Sequence, residues 1–209
     1  MNETPPLPPP APDRLQLALS SGCNPSPGDA ISKGWALIKP NLWLFVGGTV
    51  VAFMGNMVPL IGGFVQMVIL FGVALGARKV MRGEPLAFGD FFKVFDKFAP
   101  LLLCALVSRL LIMLGMILCI LPGIYLAVSW GMLIPLILIW DRDMEFWPAM
   151  ELSRKIVGRS FWKFFWFAFV LSLFNFAGIL CCIVGVFFTL PVSLAACVIM
   201  FEEQIGWRK

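Results

Sequence analysis

The chain has 209 residues, of which 60% are hydrophobic and only 13% are charged, and its mean hydropathy is +0.90. This composition excludes an ordinary soluble domain and indicates an integral membrane protein. The net charge of +4 does not indicate a nucleic-acid partner, because the basic residues lie beside apolar runs and not on a soluble module.

The first 27 residues differ from the rest, because "TPPLPPPAPD" favours a polyproline-like chain with little apolar surface to bury. We interpret residues 1–27 as a disordered Pro-rich cytoplasmic tail. Two alternatives are weaker. Residues 15–23 resemble a lipoprotein signal that ends at Cys23, but the apolar part is too short, and the P-x-x-P spacing is also typical of ligands of aromatic grooves.

Three apolar runs follow, and each is too long for one bilayer crossing of about 20 residues. Each has turn-forming residues near its middle, which a tight turn between two helices uses and a single helix only tolerates. We therefore predict an all-α integral membrane protein with six transmembrane helices in three hairpins. The runs are 42–77, 98–140 with only Arg109 interrupting, and 164–201, and their turns are "GNMVPLIGG" at 55–63, "CILPG" at 119–123 and "GILCCIVG" at 178–185.

Charge placement supports this division, because cytoplasmic loops near membrane ends are enriched in Lys and Arg. Basic residues occur before, between and after the hairpins, whereas the three mid-run turns carry no charge. We predict a six-helix membrane domain at 28–203 in a bacterial plasma (inner) membrane, a cytoplasmic tail at 204–209, and cytoplasmic termini. Because the hairpin legs are short, a re-entrant hairpin that does not cross the membrane stays open as an alternative.

The first two hairpins match when one is shifted by 60 residues, and the match includes charged, proline and glycine positions. Membrane folds are often built from equivalent units, so we predict a threefold repeat. In the third unit, Gly178 takes the place of Gly55 and Gly115. The matched pairs are Lys33 and Lys93, Pro40 and Pro100, Gly55 and Gly115, and Gly63 and Gly123.

The segment before each hairpin has the pattern of an amphipathic helix lying in the membrane interface. Ser26 and Asp29 form a candidate capping box before the first hairpin. Five phenylalanines with helical spacing precede the second hairpin, and we expect their rings to lie in the acyl boundary. We expect basic residues of these segments to contact anionic lipid headgroups at the cytoplasmic face; belts that only anchor the protein are the alternative. The phenylalanines are Phe88, Phe91, Phe92, Phe95 and Phe98, and the candidate lipid contacts are Lys93, Lys97, Arg154, Lys155, Arg159 and Lys163.

Arg109 is the charged residue that lies deep in an apolar run, and an intramembrane ionisable group is a candidate functional site. The repeat aligns it with Thr49 and Ser172, so packing about a common axis would form a polar ring, with Asn175 and Gln66 as further neighbours. Arg109 could then bind a phosphate or carboxylate in bidentate fashion. The alternative is an arginine that extends to the interface or pairs with a carbonyl or amide.

No set of catalytic residues can be assembled, since the chain has no histidine and most acidic residues lie in loops. We therefore predict no enzyme activity, no cofactor and no metal. Asp141 and Asp143 in "DRD" form a weak alternative, because a D-x-D pair at a helix end can bind a divalent cation alongside phosphate.

Two patterns of small residues leave alternatives open. Cys119, Cys181 and Cys182 are expected at one membrane face, where an oxidising compartment would allow a disulfide; packing as small hydrophobic groups is the other interpretation. Gly72 and Gly76 form G-x-x-x-G, which supports close helix packing but does not distinguish an intramolecular contact from an oligomer.

The stretch "LPGIYLAVSWGMLIPLILIWDRDMEFWPAMELSRKIVGRSFWKFF", with "VPLIGG" and "RGEPLAFGDFFKVF", resembles a family of bacterial multi-pass membrane proteins. These are similar to the membrane domain attached to some glycerophosphoryl diester phosphodiesterases. The resemblance covers residues 28–203 and implies the multi-pass architecture. It implies no activity, because the phosphodiesterase catalytic domain is not in this chain.

Our leading hypothesis is a non-enzymatic accessory, scaffold or lipid-interacting protein whose partners are membrane lipids, with a protein partner or homo-oligomer left open. The alternative is a small transporter or permease component for an anionic solute or lipid, with Arg109 in the pathway. The repeats and the prolines inside helices, Pro135 and Pro191, favour this alternative. The shortage of buried polar groups opposes it.

Reporter fusions test the predicted topology. Because the basic residues mark the cytoplasmic side, fusions after residues 60, 121 and 183 should give external signals, and fusions after 90, 150 and 209 internal ones. A reversed or mixed pattern would contradict the three-hairpin topology.

Overall fold

Helices make up all the regular secondary structure in the part of the chain that the computed structural model describes, namely residues 16, 18–19, 22–55, 62–118, 120–140, 145–180 and 185–205. The all-α prediction is confirmed for these residues. From residue 22 onward they form α1 (Pro27–Ile38), α2 (Leu42–Gly55), α3 (Gly62–Met81), α4 (Phe98–Leu118), α5 (Ile120–Trp140), α6 (Phe146–Arg159), α7 (Phe161–Leu180) and α8 (Val186–Gln204). Two 3₁₀ helices, Lys39–Asn41 and Phe88–Lys97, precede α2 and α4; we call the second the 88–97 helix.

Three helical stretches of the described chain are long and apolar enough to cross a membrane: Pro27–Gly55, Phe161–Leu180 and Val186–Gln204. The prediction of transmembrane helices is therefore supported by length and composition. The first stretch has 29 residues and includes α1, the 3₁₀ turn and α2 without a break. Lys39 keeps right-handed helical angles, and Pro40 lies in the 3₁₀ turn without ending the helix. The interfacial helix expected before the first hairpin is thus continuous with α2.

The chain just before α1 packs against α8. Cys23 is buried, and the backbone N–H of Asn24 donates to Oε1 of Gln204 at 2.9 Å. Ser26 is the N-cap residue of α1, but its side chain makes no capping hydrogen bond. This end of the predicted tail is therefore held by the C-terminal end of α8.

Two pairs of glycines lie where consecutive long helices meet. A Cβ at Gly115 would be 3.3 Å from the Cα of Gly123, and a Cβ at Gly178 would be 3.2 Å from the carbonyl carbon of Gly185. Residues seven or eight positions apart in a straight helix are separated by about 10–12 Å. The chain therefore reverses direction between Gly115 and Gly123 and between Gly178 and Gly185.

The described helices follow one order three times: a short helix and then two long ones. The first unit is α1, α2 and α3, the second is the 88–97 helix, α4 and α5, and the third is α6, α7 and α8. Within each unit the two long helices contact each other, and each short helix packs on the second long helix of the preceding unit. Because α1 packs on α8, this arrangement closes on itself.

The second long helices α3, α5 and α8 also contact one another, and their apolar side chains contribute to a common core that includes Val73, Ile137 and Ala195. Each first long helix also contacts the second long helix of the preceding unit: α2 contacts α8, α4 contacts α3, and α7 contacts α5. Each class of contact thus occurs once per unit. This is the packing that a threefold repeat would produce.

Phe91 of the 88–97 helix is completely buried between α2 and α3. Its ring lies 5.7 Å from that of Phe45, measured between centroids, and a Cβ at Gly48 would come within 3.0 Å of it. A Cβ at Gly72 would overlap the carbonyl oxygen of Phe91, and one at Gly76 would overlap its ring. The G-x-x-x-G pair therefore serves an intramolecular contact, and the expected position of Phe91 in the acyl boundary is wrong.

The substitution Gly72→Ala should destabilise the protein because the added methyl group has to displace the backbone of Phe91. Overpacking of this kind costs about 1–3 kcal/mol, and it should lower the melting temperature of the detergent-purified protein followed by circular dichroism. The matched control is Gly89→Ala in the 88–97 helix, where a Cβ would meet no atom within 4 Å. Equal melting temperatures for the two variants would contradict the packing of Phe91.

Candidate functional site

Arg109 lies near the middle of α4, and its side chain is exposed. Its neighbours on that surface are apolar and also exposed: Leu110 is 67% exposed and Met113 is 64% exposed. No hydrogen bond or ion pair joins Arg109 to another residue that the structure describes. Arg109 therefore lies on the outer surface of the helical bundle and not in its interior, where the sequence placed it.

The other members of the predicted polar ring are held in different surroundings. Thr49 is buried, and its Oγ1 donates to the carbonyl oxygen of Phe45 at 2.9 Å, within α2. Gln66 is half-buried on α3, and Ser172 is exposed on α7. Among the described contacts, none brings these side chains to Arg109, so the ring is not observed in this part of the chain.

Asn175 forms a polar cluster between α7 and α8 that the sequence did not reveal. Its Nδ2 donates to the carbonyl oxygen of Leu171 and to Oγ of Ser193, both at 2.9 Å. Asn175 Oδ1 and Thr189 Oγ1 are buried without a hydrogen-bond partner among the described residues. Thr189 and Ser193 are four residues apart and share one face of α8. This spacing in the sequence could have indicated a polar face on α8.

A cavity of about 390 Å³ lies between α4, α5 and α7. Of its described lining residues, Ser172 has a hydroxyl group and the other seven are apolar. On α7 the wall includes Phe165 and Phe169, whose ring centroids are 6.4 Å apart. The lining residues are Met116, Ile124, Ala127, Val128, Phe165, Ala168, Phe169 and Ser172.

Asp90 is a buried carboxylate that fixes the 88–97 helix to the end of α3. It accepts a hydrogen bond from the N–H of Ala87 at 2.9 Å, and it pairs with Lys79 at 3.0 Å and with Lys93 at 2.6 Å. The hydrogen bonds from Lys93, Ala87 and Lys79 hold the pKa of Asp90 well below its usual value. The candidate lipid contact Lys93 thus already has a partner, although it is 58% exposed; the side chain of Lys97 lies outside the described residues.

The remaining candidate lipid contacts are exposed around the junction of α6 and α7. Arg154, Lys155, Arg159 and Lys163 all lie on the surface, and Lys155 pairs with Glu151 at 2.8 Å. Three exposed tryptophans lie on the same two helices: Trp147, Trp162 and Trp166. Cations beside tryptophans on apolar helices are typical of a membrane interface.

The predicted alternatives for metal and disulfide chemistry fall outside the described residues, where Asp141, Asp143, Cys119, Cys181 and Cys182 lie. Within the described chain, no group of three or more Cys, Asp or Glu residues is placed to hold a metal ion.

In comparisons with known proteins, no family model, no curated protein and no solved structure matches the chain.

Acid should weaken the attachment of the 88–97 helix. Because the folded-state pKa of Asp90 is lowered from an unfolded value of about 3.9, its stabilising contribution is complete above about pH 5 and is lost as the pH falls towards the folded-state pKa. Asp90→Asn should cost about 2 kcal/mol at neutral pH, since charged hydrogen bonds are removed, and should flatten the acid side of the stability profile. Melting temperatures between about pH 3 and pH 7 measure this, with exposed Asp29→Asn as the control; an unchanged acid profile for Asp90→Asn would contradict it.

Proposed function

We propose that the chain is a non-enzymatic multi-pass membrane protein that interacts with anionic lipids and acts as an accessory or scaffold component. The observation that carries this proposal is the surface at the α6–α7 junction, where Arg154, Arg159 and Lys163 are exposed beside Trp162 and Trp166. Each cation near an anionic membrane surface contributes about 1 kcal/mol of attraction.

The proposed architecture is six apolar helices in three hairpins of a bacterial plasma membrane, with the termini on the cytoplasmic side. The repeated contacts between units support it, as do the chain reversals at the glycine pairs. The helix α3 has 20 residues, which is long enough to cross a hydrocarbon core of about 30 Å. The multi-pass family resemblance favours the same architecture.

One contact favours an inclined or re-entrant second hairpin. Tyr125, close to the α4–α5 turn, lies 5.3 Å from Phe161 at the start of α7, measured between ring centroids. Phe161 follows directly after the cations of α6. In an upright hairpin the turn would be a bilayer thickness away from those cations. The second hairpin is therefore proposed to extend less deeply into the membrane than the third hairpin.

A small permease for an anionic solute or lipid is the second candidate function. The observation that favours it is the cavity beside Ser172, with the exposed Arg109 on the neighbouring helix. Flux assays with reconstituted protein would separate this candidate from a scaffold.

Native mass spectrometry tests the lipid interaction. The double variant Arg154→Gln with Arg159→Gln should bind phosphatidylglycerol roughly thirtyfold more weakly than the wild type, because two cations contribute about 2 kcal/mol together. Lys33→Gln is the matched control, since it removes an exposed cation that is paired with Glu203 on α8. An equal loss in the control, or no loss in the double variant, would contradict the proposed lipid surface.

A further inference from the structure

We propose that the cavity between α4, α5 and α7 holds an acyl chain of an anionic phospholipid and that Arg109 binds the phosphate of the same lipid. This inference rests on the lipid interaction proposed above. It adds a single site with its own ligand chemistry, separate from the cations of α6 and α7.

The cavity has the chemistry of a hydrocarbon site. At about 390 Å³ it falls in the size range of ligand pockets, which is roughly 300–1,000 Å³. It opens to the outer surface, and its wall is formed by aliphatic and phenylalanine side chains, which suit an apolar acyl chain. A polar solute would find the hydroxyl of Ser172 as its one side-chain partner among the described lining residues.

Arg109 supplies the charge that an anionic headgroup needs. It lies seven residues before Met116, so the two residues share one face of α4 and are separated by roughly 10 Å along the helix axis. Met116 lines the cavity, and Arg109 lies exposed on the same stripe with no ion-pair partner in the described chain. A guanidinium surrounded by hydrocarbon is unfavourable, and a phosphate matches its paired donors.

The sequence distinguishes a lipid from a second copy of the chain as the partner of Arg109. The apolar runs at 42–77, 98–140 and 164–201 contain no Asp or Glu. A second copy could therefore not place a carboxylate beside Arg109 from these helices. A phospholipid brings both parts, a phosphate for Arg109 and a hydrocarbon chain for the cavity.

Lipid titrations followed by native mass spectrometry test the site with two variants. The probes are phosphatidylglycerol and diacylglycerol with identical acyl chains, added to detergent-purified protein, because diacylglycerol has no phosphate. Arg109→Gln changes an exposed side chain and should lower phosphatidylglycerol affinity at least tenfold while leaving diacylglycerol binding unchanged. Ala168→Phe fills the cavity and should weaken binding of both lipids.

The matched control for the cavity is Ala177→Phe, because Ala177 is exposed on the same helix and on the opposite face from Ala168. It should bind both lipids like the wild type. If Ala168→Phe fails to give a monodisperse protein, Ser172→Leu replaces it, since Ser172 is exposed in the same cavity.

Four outcomes overturn the site. Wild-type affinities for both Arg109→Gln and the cavity variant exclude it. If only the Arg154→Gln and Arg159→Gln double variant loses lipid, the proposed function is supported and the Arg109 site is excluded. If neither the wild type nor any variant prefers the anionic lipid, both the proposed function and the Arg109 site are excluded. A change in oligomer mass for Arg109→Gln without a change in lipid affinity assigns Arg109 to contact between copies.

Discussion

The structure depends on close backbone contact between each short helix and the second long helix of the preceding unit. Between apolar helices in lipid, the hydrophobic effect gives little attraction, so packing of small residues and hydrogen bonds has to hold helices together. Each interface of this type contains such a contact. Gly34 of α1 faces the carbonyl oxygen of Val192 on α8, Gly72 faces the backbone of Phe91, and Ser153 of α6 donates to the carbonyl oxygen of Ser129 on α5.

The breaks between consecutive long helices could be predicted from the sequence where local chemistry decides them. Pro122 and Gly123 in an apolar run favour a turn, and in the structure α4 ends at Leu118 and α5 begins at Ile120. Pro40 does not end the helical stretch, because it lies in a 3₁₀ turn that joins α1 to α2. Whether a proline ends a helix depends on packing around it, and here α8 lies along the continuous stretch.

The positions of Phe91 and Arg109 could not be predicted, for one shared physical reason. Helical periodicity tells which residues share a face, but lipid and protein interior are both apolar, so the pattern does not tell which of them that face meets. Phe91 and the exposed Phe92 both belong to the predicted phenylalanine pattern. Phe91 is buried because the glycines of α2 and α3 leave room for it. The repeat aligns Arg109 with Thr49, which predicts that both lie inside, but Thr49 is buried and Arg109 is exposed.

The contact of α1 with α8 also has a consequence for biosynthesis. Asn24 and Gln204 are separated by 180 residues along the chain, which a ribosome adds in roughly 10–40 s at bacterial rates of about 5–20 residues per second. During that time α1 is already at the membrane while the surface it packs against has not been made. The ring of units is therefore closed only by the synthesis of α8, and the small-residue face around Gly34 remains available to other membrane helices until then.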